Sequence, residues 1–190
     1  EFHPLFETDR RAVRERYGIE GGPLLLNVKR LHALADQATL LDAMNVVHRE
    51  RPDARLFIAG TGDLEMQLKA RASQLGLGSA VRFLGLVPNA EVARLQAAAD
   101  LFVLSSELEA TPTVALEALA CGTPVISTDN PGGIELGAIF GDDVAVVPRK
   151  DPPALAAAVL RHVTAPRRTR PRSADEIAAQ PLQVVERLRQ

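Results

Sequence analysis

Two glutamates, Glu109 and Glu117, are the residues of this chain whose type and spacing most clearly suggest chemistry. Seven residues separate them, and Glu117 is the only charged residue between Val114 and Cys121. Because a helix that is apolar all round is a buried helix, we expect this one to be buried. A lone carboxylate on such a helix is costly unless it is hydrogen-bonded. We therefore expect Glu117 to point at a pocket and to accept hydrogen bonds from a polyhydroxy ligand or an internal partner.

The start of the same helix predicts a site for an anion. Thr111 can cap the helix, Pro112 fits its first position and Gly122 can end it. Glu109 lies just before that start, where backbone N–H groups and the helix dipole favour a group such as phosphate. Two carboxylates with a helix N-terminus between them suit a ligand that has hydroxyls at both ends and a phosphate in the middle. A nucleotide sugar is such a ligand.

Composition is that of an ordinary soluble globular domain. The chain has 190 residues, of which 46% are hydrophobic and 24% charged, and its net charge of −2 gives no reason to expect nucleic-acid binding. The single cysteine, Cys121, excludes an internal disulfide and a cysteine-based metal cluster. No apolar run reaches the roughly 18 residues needed to cross a bilayer. We expect a cytoplasmic location, with peripheral association at the inner face of a membrane left open.

Short apolar runs alternate with amphipathic stretches, which predicts a parallel sheet wrapped by helices. The predicted fold class is α/β: a three-layer, doubly wound, Rossmann-like sheet of about six strands. The predicted strands are 24–28, 55–59, 81–84, 101–104, 124–127 and 144–147. The predicted helices are 36–50, 63–74 with Asp63 as its cap, 90–99, the Glu117 helix, a short one starting near 130–133, and 153–163 capped near Asp151. Ligands bind beyond the C-terminal ends of such strands, so we expect one shared rim formed by the loops 29–35, 60–63, 85–89, 105–113 and 128–134.

A change in composition near residue 164 marks a domain boundary. Residues 1–163 form the predicted nucleotide-sugar-binding domain. Residues 164–173 are basic and rich in proline, which is typical of a linker. Their arginines could contact acidic lipid or phosphate, but a solvated linker is the preferred interpretation. A helical pattern returns at 174–190 as a predicted C-terminal helix.

Several motifs, in this order, resemble one known family. They are Arg30-Leu31, Leu56-Phe57-Ile58-Ala59-Gly60-Thr61-Gly62, Val81-Arg82-Phe83-Leu84-Gly85, Ala99-Asp100-Leu101-Phe102-Val103-Leu104-Ser105, the Glu109-x7-Glu117 pair running on to Ile126, and Gly132-Gly133-Ile134-Glu135. The series resembles the C-terminal, donor-binding domain of retaining glycosyltransferases of family 4, which have the GT-B fold. Each motif is weak alone, but the order and spacing of the whole series are highly specific, and it covers roughly residues 1–163.

The resemblance implies a role for individual residues. Glu109 would contact the hydroxyls of the donor sugar, and Glu117 those of the ribose. Arg30 would neutralise the diphosphate, for which the planar guanidinium is well suited. The segment after the first glutamate would approach sugar and diphosphate through its backbone, and the base would lie near the loop after the third strand. The segment after the first glutamate comprises Ala110, Thr111, Pro112, Thr113 and Val114. The residues near the base are Leu86 and Val87. Gly60 is a further candidate at the rim.

One departure from the family pattern concerns the phosphate site. Members usually have a lysine followed by glycine five or six residues after the arginine, where this chain has Ala35 and Asp36. Lys29 and His32 are candidate substitutes, although neither matches the motif. Three interpretations remain open: another cation acts, the phosphate is held more weakly, or activity has been lost.

The resemblance also implies what this chain works with. The expected function is transfer of a sugar from a nucleotide diphosphate sugar to an acceptor, with retention of configuration and without a metal ion or other cofactor. The acceptor would be bound by an N-terminal domain, of which the opening Phe2-His3-Pro4 resembles the linker, so the chain looks like the C-terminal half of a longer enzyme and is expected to be inactive alone. The alternative is a non-catalytic nucleotide-binding or interaction module that kept the fold.

Overall fold

The computed structural model describes residues 2–19, 21–110 and 112–164. Within these residues six parallel strands form one sheet, in the order β3-β2-β1-β4-β5-β6. The strands are β1 (Leu24–Val28), β2 (Arg55–Ala59), β3 (Val81–Gly85), β4 (Leu101–Leu104), β5 (Val125–Thr128) and β6 (Val144–Val147). The helices are α1 (Glu7–Arg16), α2 (Gln37–Glu50), α3 (Glu65–Gln74), α4 (Asn89–Ala98), α5 (Thr113–Ala120), α6 (Pro131–Phe140) and α7 (Pro152–Thr164), with single 3₁₀ turns at Ala33–Ala35 and Gly141–Asp143. The prediction of a doubly wound α/β fold is confirmed.

Helices cover both faces of the sheet. Alternate residues of a strand point to opposite faces, so Leu25 packs with α2, α3 and α7, whereas Leu24 and Leu26 pack with α4, α5 and α6. Burial on both faces explains why the strands read as continuous apolar runs rather than alternating ones. The parallel arrangement also brings the C-terminal ends of all six strands to one edge of the sheet, where the loops were predicted to form one shared rim.

Most element boundaries agree with the sequence-based prediction. Strands β1, β2, β4 and β6 have the predicted bounds, β3 ends one residue later than predicted, and β5 is shifted by one residue at both ends. Asp151 caps α7 by accepting a hydrogen bond from the backbone N–H of Ala154 at 2.9 Å, as expected. Gly122 follows α5 with a φ of +75°, the left-handed conformation that ends many helices. The proposed linker at 164–173, apart from Thr164, and the predicted helix at 174–190 lie outside the described residues.

Two predictions about helix starts need correction. Helix α3 begins at Glu65 with Leu64 at its N-cap and no side-chain cap, so Asp63 does not cap it. Pro112 occupies the N-cap position of α5 rather than its first turn, and Thr111, the predicted cap, lies outside the described residues.

Helix α5 is also less buried than its composition suggested. Ala115, Ala118 and Leu119 are buried, but Thr113 is exposed and Glu117 is only partly buried. The helix therefore packs on the sheet along one side, and solvent reaches part of the side that carries Glu117.

Helix α1 was not predicted, because ion pairs rather than an apolar face hold it. Asp100, at the entry to β4, accepts hydrogen bonds from Arg10 at 2.5 Å, from Arg14 at 3.0 Å and from the backbone N–H of Leu24 at 2.8 Å. Arg14 is buried and also donates to the carbonyl of Ala98 at 3.2 Å. One carboxylate thus joins α1 to the two central strands.

Asp100→Ala is expected to lower the free energy of unfolding by about 2–4 kcal/mol, because Arg14 would stay buried without its counter-charge. Urea denaturation followed by circular dichroism measures the change. The control, Lys69→Ala, removes an exposed pair with Glu65 within α3 and should cost about 0.5 kcal/mol or less. Equally small losses in both variants would show that α1 does not depend on Asp100.

Candidate functional site

The centre of the sheet contains a topological switch point. Strands β1 and β4 are neighbours, with Leu25 opposite Leu101 and Leu26 opposite Phe102. The chain leaves β1 towards β2 on one side and leaves β4 towards β5 on the other. Loops that diverge in this way leave a crevice beyond the strand ends, which is where ligands bind in such sheets. The two loops that border it are 29–36 and 105–112.

An ion pair between Lys29 and Glu109 spans this crevice. Lys29 directly follows β1, and Glu109 lies in the loop between β4 and α5. The Lys29 ammonium donates a hydrogen bond to the Glu109 carboxylate, and the two side chains are only 23% and 14% exposed. The structure therefore brings together a cation and a carboxylate that stand 80 residues apart in the sequence.

Arg30 lies further out, at the mouth of the crevice. Its side chain is 69% exposed, and its guanidinium is 3.8 Å from the carboxylate of Asp63, in the loop after β2. Its backbone carbonyl accepts a hydrogen bond from the side-chain amide of Gln37 at 3.2 Å, which ties this loop to the start of α2. His32 lies partly buried on the same loop.

Two hydrogen bonds join the loops on either side of the crevice. The hydroxyl of Ser105, which is fully buried, donates to the carbonyl of Ala35 at 2.9 Å, and the backbone N–H of Glu107 donates to the carbonyl of Leu34 at 2.8 Å. Ser105 thus holds the backbone and is not exposed as a nucleophile. These bonds fix the distance between the Lys29 side and the Glu109 side of the crevice.

Asp36 adopts the backbone conformation that glycine would favour. Its φ and ψ are +44° and +47°, in the left-handed region. Aspartate tolerates this region better than most residues. Its carboxylate also accepts hydrogen bonds from the hydroxyl of Thr39 at 2.7 Å and from the Thr39 N–H at 3.3 Å, which caps α2. The loop therefore keeps its turn even though glycine is replaced.

The start of α6 supports the backbone of Glu109. The N–H of Gly132 donates to the Glu109 carbonyl at 2.8 Å. A Cβ at Gly132 would lie 2.9 Å from that oxygen and 2.9 Å from Cδ of Pro112. Asn130 caps α6 by accepting from the N–H of Gly133 at 2.9 Å. Glu109 is thus held through its side chain by Lys29 and through its backbone by α6.

Glycines in the loop after β2 allow close approach to the backbone of Lys29. A Cβ on Gly60, whose φ is +135°, would lie 2.1 Å from the Lys29 carbonyl oxygen. A Cβ on Gly62 would lie 2.1 Å from the carbonyl oxygen of Leu31. The need for glycine at both positions therefore follows from packing between the two loops. Contact between Gly60 and a ligand stays a prediction.

The other predicted site residues lie around the same rim. Ala110 and Thr113 are exposed, and Val114 is partly buried, with its carbonyl accepting from the amide of Gln96 at 2.9 Å. After β3, Leu86 is 85% exposed and Val87 packs against the core. Leu86 and Val87 thus follow an edge strand that is separated from β4 by two strands, whereas Ala110, Thr113 and Val114 lie at or just before the start of α5. Contacts of all five residues with a ligand stay predictions.

Cys121 is a core residue, as its sequence context indicated. It is 1% exposed, at the end of α5. Burial, and then the nearby negative charge of Glu117, raises the pKa of the Cys121 thiol to about 12. The thiol is therefore protonated at neutral pH and is unsuited to nucleophilic chemistry.

Two features of the crevice escaped the sequence-based reasoning: the pairing of Lys29 with Glu109, and the role of Ser105 in joining the loops. The pairing could have been suspected from the position of Lys29 directly after a predicted central strand. Nothing in the sequence indicated the second.

In the part of the chain that the structure describes, no group of three or more His, Cys, Asp and Glu side chains is placed to hold a metal ion. The helices there are all too short or too polar to cross a bilayer. Metal independence itself stays a prediction.

Comparison with known proteins identifies the group to which this fold and motif order belong. Residues 9–178 match the family model described as glycosyl transferases group 1. Mannosylfructose-phosphate synthase of Agrobacterium fabrum is 36% identical over 69% of this chain and 30% of its own length. A GDP-mannose-dependent phosphatidylinositol monomannoside mannosyltransferase of Mycolicibacterium smegmatis is 33% identical over 85% of this chain and 44% of its own length. The chain thus spans less than half of either relative.

A solved structure gives the same fold. The crystal structure of Anabaena HepE in complex with UDP and glucose superposes with a TM-score of 0.77 at 22% identity, covering 98% of this chain and 53% of that one. At that level of identity the likeness concerns the fold.

Gly60→Ala is expected to lower the free energy of unfolding by about 3 kcal/mol or more, since it combines a strained φ with a clash against the Lys29 backbone. The control is Gly76→Ala, where φ is +71° but no atom lies within 4 Å of the added Cβ. That variant should lose only about 1–2 kcal/mol. Urea denaturation compares the two, and equal losses would contradict the close approach of the loops.

Proposed function

The chain belongs to the group 1 glycosyl transferases, and on that premise we propose that it is the donor-binding part of a retaining transferase. It would bind a nucleotide diphosphate sugar, whose sugar passes to an acceptor held by a domain that precedes it. The observation that carries this proposal is the Lys29–Glu109 ion pair at the switch point, with the exposed Arg30 next to Lys29 on the same loop. Cations beside a carboxylate suit a ligand that joins a diphosphate to a polyhydroxy sugar.

The proposed roles follow the order of the groups across the crevice. Glu109 accepts hydrogen bonds from the sugar hydroxyls, and Glu117, further along α5, accepts them from the ribose. The N-terminus of α5, at Thr113 and Val114, would present backbone N–H groups and the positive end of the helix dipole to the diphosphate. Arg30, whose side chain is 69% exposed, would turn from Asp63 to the same phosphates.

The domain would contribute to catalysis by placing and stabilising charge. Breaking the glycosidic bond leaves negative charge on the departing diphosphate, and pre-positioned donors and cations are most effective against charge that develops in the transition state. Arg30 and the α5 N-terminus would supply this stabilisation, so we propose that the reaction needs neither a metal ion nor another cofactor.

The rest of the site would come from another part of the enzyme. The matched relatives are more than twice as long as the segment that they share with this chain. We propose that an N-terminal acceptor domain of the same protein completes the crevice, and that the enzyme acts in the cytoplasm, with peripheral membrane contact through that larger protein. Names of the relatives mention both GDP-mannose and UDP, so they do not decide which base this chain prefers.

Calorimetric titration of the chain with UDP, GDP and ADP tests the proposal. We expect saturable binding of one of the three. Glu117→Ala should weaken it about tenfold, because charge-assisted hydrogen bonds to the ribose are lost.

Glu50→Ala is the matched control, because Glu50 is exposed at the end of α2 on the opposite edge of the sheet. Its affinity should equal that of the unchanged chain. Absence of binding by all three nucleotides, or an equal loss in both variants, would contradict a donor site beside α5.

A further inference from the structure

The Lys29–Glu109 ion pair joins two groups that the proposed donor would need separately. A diphosphate would attract the ammonium, and sugar hydroxyls would donate to the carboxylate. Both side chains are mostly buried, and each compensates the charge of the other. The pair therefore adds no net charge to the inner part of the crevice.

Lys29 is the best-placed cation for the inner part of the crevice. Position 35 carries an alanine that is 1% exposed and has no charge to offer. Arg30 is exposed at the mouth, near Asp63. Along the same rim, Arg149 and Lys150 lie beyond β6, where they pair with Asp129 and Glu107.

We propose that Lys29 is a diphosphate-binding cation of this site and that Glu109 competes with the diphosphate for it. When the donor arrives, its phosphates attract the ammonium away from Glu109, and the released carboxylate accepts the sugar hydroxyls. The proposal rests on the proposed function and adds to it an exchange of partners between Lys29, Glu109 and the donor.

Charge and geometry both support an exchange of partners. Lysine is a compact charge with three donors on a flexible stem, so it can turn from one anion to another without moving the backbone. A diphosphate carries more negative charge than a single carboxylate, so it can compete for the ammonium. The backbone of Glu109 is held by Gly132, and its loop is tied to residues 34 and 35, so the exchange would involve side-chain rotation rather than movement of the loop.

Two substitutions should therefore have opposite effects on a nucleoside diphosphate that carries no sugar. Lys29→Met keeps the apolar stem but leaves Glu109 as an uncompensated negative charge, so affinity should fall about tenfold or more. Glu109→Gln frees the ammonium and removes the competing charge, so affinity should rise about threefold to tenfold. A purely structural ion pair would give losses in both variants.

The test is calorimetric titration of the 190-residue chain and these variants with UDP, GDP and ADP, and with UMP, GMP and AMP as ligands that lack the second phosphate. The double variant Lys29→Met/Glu109→Gln measures the coupling between the two residues. Lys69→Met, which removes a paired lysine on α3, is the matched control. Thermal unfolding of each variant shows that it is folded.

The expected result has three parts. The diphosphate binds more weakly to Lys29→Met and more tightly to Glu109→Gln than to the unchanged chain. The ratio of diphosphate to monophosphate affinity falls in Lys29→Met alone. The affinities of Lys69→Met equal those of the unchanged chain. Lys29→Arg should retain most of the diphosphate affinity, because the positive charge remains.

Several results would overturn the proposal. Unchanged diphosphate affinity in Lys29→Met would exclude Lys29 as the cation and leave the proposed function intact. Weaker diphosphate binding in Glu109→Gln would show that the ion pair only supports the loop. This measurement tests the competition between Glu109 and the diphosphate even if Lys29→Met does not fold. Failure of the unchanged chain to bind any of the six nucleotides would instead reject the donor site, and this inference with it.

Discussion

The pairing of β1 with β4 is the constraint on which the rest of this structure depends. These two strands are far apart in the sequence, and their contact places the loops 29–36 and 105–112 side by side. Asn27 strengthens the junction by donating from its buried amide to the carbonyl of Val103 at 2.8 Å. At the other end of the same strands, Asp100 links the backbone of Leu24 to α1. The crevice exists because the chain diverges from this junction in opposite directions.

Apolar patterning predicted the sheet well because strands buried on both faces have a strong local signature. Four strands were placed with the observed bounds, and their order along the chain implied the rim. Helix α1 was missed because its stability comes from Arg10 and Arg14 pairing with Asp100, about 90 residues away. The burial of α5 was overestimated because composition does not tell which side of a short helix meets the sheet. Both errors concern long-range contacts, on which periodicity carries no information.

The candidate site shows the same division. The two glutamates and the cations after β1 could be named from their types and from the family resemblance. Their mutual arrangement could not, because the Lys29–Glu109 pair and the Ser105–Ala35 hydrogen bond form only after the strands are assembled. Asp36 is a related case: the sequence shows a missing glycine, but only the backbone shows that the left-handed turn survives with an aspartate as both turn residue and cap.

Close backbone packing explains why the polar groups of the crevice can be positioned so well in loops. Gly60 lets the loop after β2 rest against the carbonyl of Lys29, and Gly132 lets α6 support the carbonyl of Glu109. Each partner of the ion pair is therefore held from behind by a segment that has no side chain at the point of contact. In the exchange proposed above, only the side chains of Lys29 and Glu109 would change partners, because the backbone of each is held by a neighbouring segment. The entry of an anion would then change the charge distribution of the crevice without any rearrangement of the sheet that carries it.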